Sequence, residues 1–221
     1  MYFIVTYSYL ILPLAFLLFR YTFKDRIPVT IALYGLFVFA FLLIYDELPK
    51  GEITKYAQST YTFLEYAFFS YIFWYNLRNK SIKKLILILS VMFIIFQIAF
   101  AASTAHRRLD SIPIGIETIL LFIYIFYFFY EFSKQIKDTF IYNHYTFWIA
   151  VGILIYLGGS FFFFILVNEL DKKQRDDFGT LTYIAEIIKN LLFAFSIFMY
   201  KKFPINKTHN HPKNIPNLDM I

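Results

Sequence analysis

Three glutamates and one lysine are notable for where they sit. Glu65, Glu117, Glu186 and Lys189 all lie inside long apolar runs. A charged side chain at the centre of a membrane helix costs about 2.5–3.5 kcal/mol to insert. Each of these groups must therefore be paired, neutralised or turned toward a polar cavity. The run at 180–200, TLTYIAEIIKNLLFAFSIFMY, holds two of them together with Asn190. Glu186 precedes Lys189 by three residues and Asn190 by four, so the three share one helix face and the two charges are placed to pair. One reading is a self-neutralising pair that lets the helix insert. The other is a face lining a ligand or proton site, the usual meaning of an ionisable residue inside a membrane.

Polar neighbours extend the pattern. Gln58, Thr62 and Glu65 fall on one face of their run, Tyr183, Glu186 and Asn190 on one face of theirs, and Glu117, Tyr124 and Glu131 recur every seven residues. At a rise of 1.5 Å per residue, Glu65 and Glu186 come about 9 Å below the outer membrane edge, Glu117 about 6 Å and Lys189 about 14 Å. Carboxylates from separate segments thus share one level. The expectation is an outward-opening polar cavity between the third, fifth and seventh segments. Its ligand-binding residues would be Glu65, Glu117, Glu186, Lys189, Asn190, Tyr124, Tyr183 and Thr62, with Tyr61 and Gln97 as lesser parts of the wall. The competing expectation is a set of buried hydrogen bonds that holds a bundle together without a ligand.

The elements that position these residues are membrane spans. Of 221 residues, 59% are hydrophobic and 16% charged, more apolar surface than a soluble domain of this size uses. Seven apolar segments can be read, at 2–19, 29–45, 59–77, 85–102, 113–132, 145–167 and 180–200. Each is long enough to approach or cross a hydrocarbon core of about 30 Å. The fold class is therefore all-α: a polytopic membrane protein forming a seven-transmembrane-helix bundle over residues 1–202, followed by a short polar tail over 203–221 expected to be disordered. The first segment lacks a basic leader and a small-residue cleavage site, so it reads as a retained span. Pro13 within it predicts a kink.

Loop charges give the orientation. The first, third and fifth loops and the tail carry 13 of the lysines and arginines, against 7 on the other side. The positive-inside bias then places the N-terminus outside and the C-terminus in the cytoplasm of a cell inner (plasma) membrane. Trp74 and Trp148 fall near cytoplasmic helix ends, as interface anchors do. Gly152 and Gly159 lie two turns apart in the sixth segment and predict close helix packing. The net charge of +6 is spread over short loops, so it reads as topology and not as a nucleic-acid surface. Cysteine is absent, which removes disulfides and thiolate chemistry. His209 and His211 in the tail are too sparse for a metal site, and neither a metal nor a cofactor is expected.

The stretches FLEYAFF at 63–69, the Glu117 segment, FWIAVGILIYLGGSFF at 147–162 and IIKNLLFAF at 187–195 resemble a group of poorly characterised bacterial seven-helix proteins. These occur alone or as the N-terminal membrane sensor regions of some histidine kinases. The resemblance implies a sensory or ligand-responsive role. The chain carries no output domain, so a cytoplasmic or membrane signalling partner would have to relay the signal.

Four functions compete. The favoured one is a receptor-like or sensory module binding a small ligand in an outer-half polar cavity. The second is a proton-coupled small-solute carrier, although no Pro-Gln pair and no clear internal repeat support it. The third is a retinal-binding protein, suggested by a mid-depth lysine in the last span and a carboxylate in the third. The fourth is an intramembrane lipid hydrolase using paired carboxylates as general acid and base. No GxSxG, HExxH or metal-ligand cluster is present and no catalytic residue is assigned, so the reading leans away from an enzyme.

Overall fold

The structure, a computed structural model, describes residues 1–22, 24–49, 51–103, 111–135, 141–166 and 169–202. The described residues form α-helices and one short 3₁₀ turn, with no strand among them. In order the helices are α1 (Tyr2–Ser8), α2 (Ile11–Leu18), α3 (Arg26–Glu47), α4 (Glu52–Asn76), α5 (Lys80–Ser103), α6 (Ser111–Gln135), α7 (Tyr145–Leu166) and α8 (Lys172–Lys202), with the 3₁₀ turn at Ile141–Asn143. The tail from 203 onward, with His209 and His211, lies outside the described residues, as does the loop holding Arg107 and Arg108.

Four of these helices, α3, α5, α6 and α8, are long and apolar enough to cross a membrane. The α1–α2 pair and α7 are apolar but shorter. Helix α4 has the length, at 25 residues, but its tyrosines, serines and threonines make it less apolar. Each expected apolar segment thus coincides with helix, but the boundaries differ. Helix α4 starts seven residues before the expected 59, and α8 eight residues before the expected 180. The apolar run marks only the part in contact with lipid, while hydrogen bonding continues the helix through polar turns such as Lys172–Asp177.

The exposed perimeter is apolar: Leu18 is 76% exposed, Phe3 75% and Ile98 67%. The interior is where the polar groups lie, with Lys189 and Asn190 fully buried and Glu117 and Glu65 only 3% and 4% exposed. Water would reverse that arrangement; hydrocarbon requires it. The chain is an integral membrane protein.

The first apolar segment shows how sequence shapes the interior. Pro13 has no N–H to offer the Tyr9 carbonyl four residues earlier. The expected kink is a full break one turn upstream of the proline: Tyr9 and Leu10 form a turn between α1 and α2, and the Tyr9 carbonyl accepts from the Leu12 N–H at 3.2 Å. Gly35 of α3 lies against this break. A Cβ there would sit 2.7 Å from the Tyr9 carbonyl oxygen and 2.9 Å from Leu12 Cβ, so only glycine allows the approach. The break and the glycine together set Tyr9 into the core, where it is fully buried.

Helices α7 and α8 pack closely along one seam. Gly159 faces Ala185, where an added Cβ would come within 2.8 Å of the Ala185 Cβ, and Gly152 lies under the Phe193 ring at 3.2 Å. This is the small-residue packing expected from the spacing of the two glycines. Helix α5 lies at the perimeter against α4 and α6, with Leu87, Val91, Met92, Ile95 and Ile98 turned outward.

The two ends of the bundle differ. At the end holding the α4–α5 and α2–α3 turns, side chains tie the helices together. Glu131 Oε1 accepts the Arg78 backbone N–H at 2.7 Å, the Tyr21 hydroxyl donates to the Ile197 carbonyl at 2.6 Å, and Lys201 Nζ donates to the Phe19 carbonyl at 3.0 Å. The Tyr145 hydroxyl bonds Asn76 at the same end. Trp148 donates its ring N–H to the Tyr142 carbonyl at 2.8 Å, and Lys83 lies over the Trp74 ring. Both tryptophans therefore mark this end. The opposite end, where the N-terminus lies, contains a cavity.

Candidate functional site

The site is built on Lys189, in the middle third of α8. Its Nζ lies 3.6 Å from Glu65 Oε1 of α4. The sequence places Lys189 to pair with Glu186 on its own helix, but the ion pair in the structure is with Glu65. Glu186 is linked to the ammonium through a tyrosine. Lys189 donates to the Tyr9 hydroxyl at 3.2 Å, and that hydroxyl donates onward to Glu186 Oε1 at 2.9 Å. A second arm runs from Lys189 to the Tyr34 hydroxyl at 2.7 Å and from there to Glu65 Oε1 at 2.7 Å. Each phenol accepts from the ammonium and donates to a carboxylate, so charge is passed through a hydroxyl that uses both its roles.

Glu65 is held by two further phenols. Tyr61 donates to Oε1 at 3.2 Å and Tyr156 of α7 donates to Oε2 at 3.1 Å. Three hydroxyl donors and one ammonium surround a group that, when ionised, only accepts. Lys189 is also enclosed by ring faces, 3.8 Å from the Tyr156 centroid and 5.2 Å from those of Tyr9 and Tyr34. Cation–π contacts of this kind reach about 2 kcal/mol when desolvated. The ion pair thus has the extra hydrogen bonds a buried pair requires to offset its desolvation.

Next to this network lies a cavity of about 340 Å³. Glu65, Glu117, Glu186, Thr62 and Tyr183 all line it. Its lining includes Tyr2 at the start of α1, Tyr45 near the end of α3, Gln58 in the first turns of α4 and Gly179 in α8. These positions are all on the N-terminal end of the bundle. Glu117 of α6 has a buried Oε1 with no hydrogen-bond partner, and it lies near enough to Glu65 and Lys189 to interact with both charges. Phe41 stacks on Tyr45 at 5.6 Å and packs against Tyr61 at 5.1 Å, which makes one wall aromatic.

Not every expected residue reaches the cavity. Lys189 does not line it, whereas its partners Glu65 and Tyr156 do. Asn190 turns toward α1, where Nδ2 donates to Ser8 Oγ at 2.8 Å, so it joins helices instead of lining the space. Tyr124 is in a separate cluster, 3.0 Å from the Tyr66 hydroxyl, which also contacts Ser90 Oγ at 3.0 Å. Glu131, on the same expected stripe, caps the α4–α5 turn at the far end. Seven-residue spacing keeps residues on one face but does not keep them at one depth, and the cavity occupies only one end of α6. Of the lesser wall candidates, Tyr61 lines the cavity, while Gln97 bonds the Ser59 carbonyl at 2.8 Å.

The sequence reading missed Tyr9, Tyr34 and Tyr156. With 19 tyrosines in the chain, residue type alone does not pick them out. A signal existed for two: Tyr9 stands four residues before Pro13, and Tyr34 immediately before the glycine that faces the break.

Comparison of the chain with protein-family models, with curated proteins and with solved structures gives no match.

Proposed function

We propose that this chain is a receptor-like or sensory membrane protein that takes a small ligand into the cavity among α1, α3, α4, α6, α7 and α8. The observation that carries this reading is the pairing of that space with an unpartnered, buried carboxylate oxygen on Glu117. Buried polar atoms are nearly always hydrogen-bonded, so an open acceptor beside an empty space is a place for a ligand group. The volume is at the small end of ligand pockets, which run from about 300 to 1,000 Å³. Counting the α1–α2 pair as one span gives seven, and the loop charges put the N-terminal end outside. The cavity then opens outward in a plasma membrane, and the tied end faces the cytoplasm, where a signalling partner would read the change. The resemblance to kinase sensor regions points the same way. A ligand acts by favouring one helix arrangement over another, and the Lys189 network joins the α1–α2 turn, α3, α4, α7 and α8 immediately beside the cavity.

A proton-coupled carrier is the second reading. It is favoured by the break at Tyr9–Leu10, since discontinuous helices at the level of the site are a feature of many carriers. Against it stands the end of the bundle away from the N-terminus, tied by the Tyr21, Lys201, Glu131 and Tyr145 hydrogen bonds.

The test is a thermal-shift screen of small molecules against the chain in nanodiscs, repeated on Gly179→Trp. Gly179 lines the cavity and a Cβ there meets nothing within 4 Å, so a large side chain fits at this position without displacing the backbone. Compounds that stabilise the unmodified protein saturably and lose that effect in Gly179→Trp support the reading. Hits unaffected by the substitution, or no saturable hit, overturn it. Accumulation of a hit inside proteoliposomes would move the assignment to the carrier.

A further inference from the structure

We propose that the cavity is built for a small organic cation, with its positive centre at the unpartnered oxygen of Glu117 and its apolar groups against the Phe41–Tyr45–Tyr61 wall. This rests on the reading of the cavity as a ligand site and names the class of ligand. The first argument is charge. Three carboxylates line the space, and among the described residues no lysine, arginine or histidine does. The one ammonium nearby, Lys189, does not line the space: Tyr156 and Glu65 do, and Lys189 is held among Tyr9, Tyr34 and the Tyr156 ring and paired with Glu65. That leaves Glu117 and Glu186 with no cation in direct contact, Glu186 reaching the ammonium only through the Tyr9 hydroxyl. Glu186 has Oε1 occupied by the Tyr9 hydroxyl, and Glu117 has an oxygen with no partner at all. An anionic ligand would meet only repulsion, and a neutral one would leave carboxylates desolvated without a counter-charge.

The second argument is independent and concerns shape and surface. One wall of the space is aromatic: Phe41 is flanked by Tyr45 at 5.6 Å and Tyr61 at 5.1 Å, and Tyr183 also lines the space. Ring faces and carboxylates together are what recognise ammonium groups, quaternary ones in particular, because the ring quadrupole attracts the charge while the alkyl groups pack on the ring. The sequestration of Lys189 has a purpose in this reading. It neutralises one of three carboxylates permanently and leaves the site a net attraction for one positive ligand.

The experiment compares three molecules of nearly equal shape on the full chain in nanodiscs by isothermal titration and thermal shift. They are choline, its uncharged carbon analogue 3,3-dimethylbutan-1-ol, and the anion 3,3-dimethylbutanoate. The expected result is choline bound at least tenfold more tightly than the alcohol, about 1.4 kcal/mol, with no binding of the anion. Glu117→Gln, which keeps the side-chain shape, should remove the preference for choline while the alcohol binds as before. Gly179→Trp serves as a second variant that leaves the buried carboxylates in place, and it should lose both ligands. Equal or tighter binding of the alcohol or the anion overturns the cation assignment and leaves the ligand cavity standing. Binding of none of the three, to a protein whose helical signal is intact, overturns both.

Discussion

Replacing Lys189 by methionine keeps an unbranched side chain of nearly the same length and removes the only buried ammonium among the described residues. At the observed 3.6 Å, and with an effective dielectric of about 20, the attraction to Glu65 is about 5 kcal/mol. Its loss is partly offset, because methionine inserts more readily than lysine at the centre of a helix. Breaking a buried pair from one side typically costs about 3–5 kcal/mol, so Lys189→Met should destabilise the fold by about 3–4 kcal/mol. Glu65→Gln should cost less, about 1–3 kcal/mol. The ammonium then still has the Tyr9 and Tyr34 oxygens, the Tyr156 ring at 3.8 Å, and Glu186 one hydroxyl away. The double variant Glu65→Gln/Lys189→Met has no unpaired charge of the two, and it should recover about 2–3 kcal/mol of the summed loss. Reversible unfolding in mixed micelles with sodium dodecyl sulfate, followed by circular dichroism, gives all three values. A coupling below about 0.5 kcal/mol, which is the additive range for sites that do not touch, would refute the pairing of Lys189 with Glu65. A larger effect of Glu65→Gln than of Lys189→Met would refute the role given to the tyrosine arms.

Other substitutions test the packing around the site. Gly35→Ala places a Cβ 2.7 Å from the Tyr9 carbonyl oxygen; it should cost about 1–3 kcal/mol in the same unfolding assay and weaken any ligand response by moving Tyr9. Gly158 and Gly159 are neighbours in α7, but a Cβ at Gly158 meets nothing within 4 Å and one at Gly159 comes 2.8 Å from Ala185 Cβ. Both alanine variants gain the same helix propensity, up to about 1 kcal/mol, so their difference isolates packing; Gly159→Ala should be the less stable by about 1–3 kcal/mol. His144, just before α7, is packed among the rings of Phe128, Phe132 and Tyr145. Burial, with a smaller effect of the Arg78 charge, lowers its imidazole from 6.5 to about 4. The folded state therefore holds its proton less tightly than the unfolded chain. The stability it contributes is full above about pH 6.5 and is lost as pH falls toward 4, by an amount on the order of 3 kcal/mol. His144→Phe should flatten that part of the stability–pH curve, measured as the difference between the two proteins.

Much of this molecule was determined by the sequence alone, and the reason is the solvent. Hydrocarbon tolerates no unpaired backbone, so each long apolar run had to be helical, and each expected segment coincides with helix, the first of them broken in two at Tyr9–Leu10. The same constraint makes a charged residue in such a run point inward, which is why Glu65, Glu117 and Glu186 could be assigned to an interior cavity from their depth and helix face. Local chemistry was legible too: Pro13 announced a disturbed first helix, and the spacing of Gly152 and Gly159 announced a close seam. The tertiary structure decided which polar groups meet. Helical periodicity places Lys189 beside Glu186, but hydrogen-bond geometry and helix packing gave it to Glu65, on a helix more than a hundred residues away in sequence. The same packing assigned Asn190 to Ser8 and Tyr124 to Tyr66, and brought Tyr9, Tyr34 and Tyr156 around the ammonium. A face and a depth are properties of one helix. A partner depends on how several helices are rotated against each other, and that rotation is set by contacts, such as Gly35 against the Tyr9 carbonyl, that exist only once the bundle has closed.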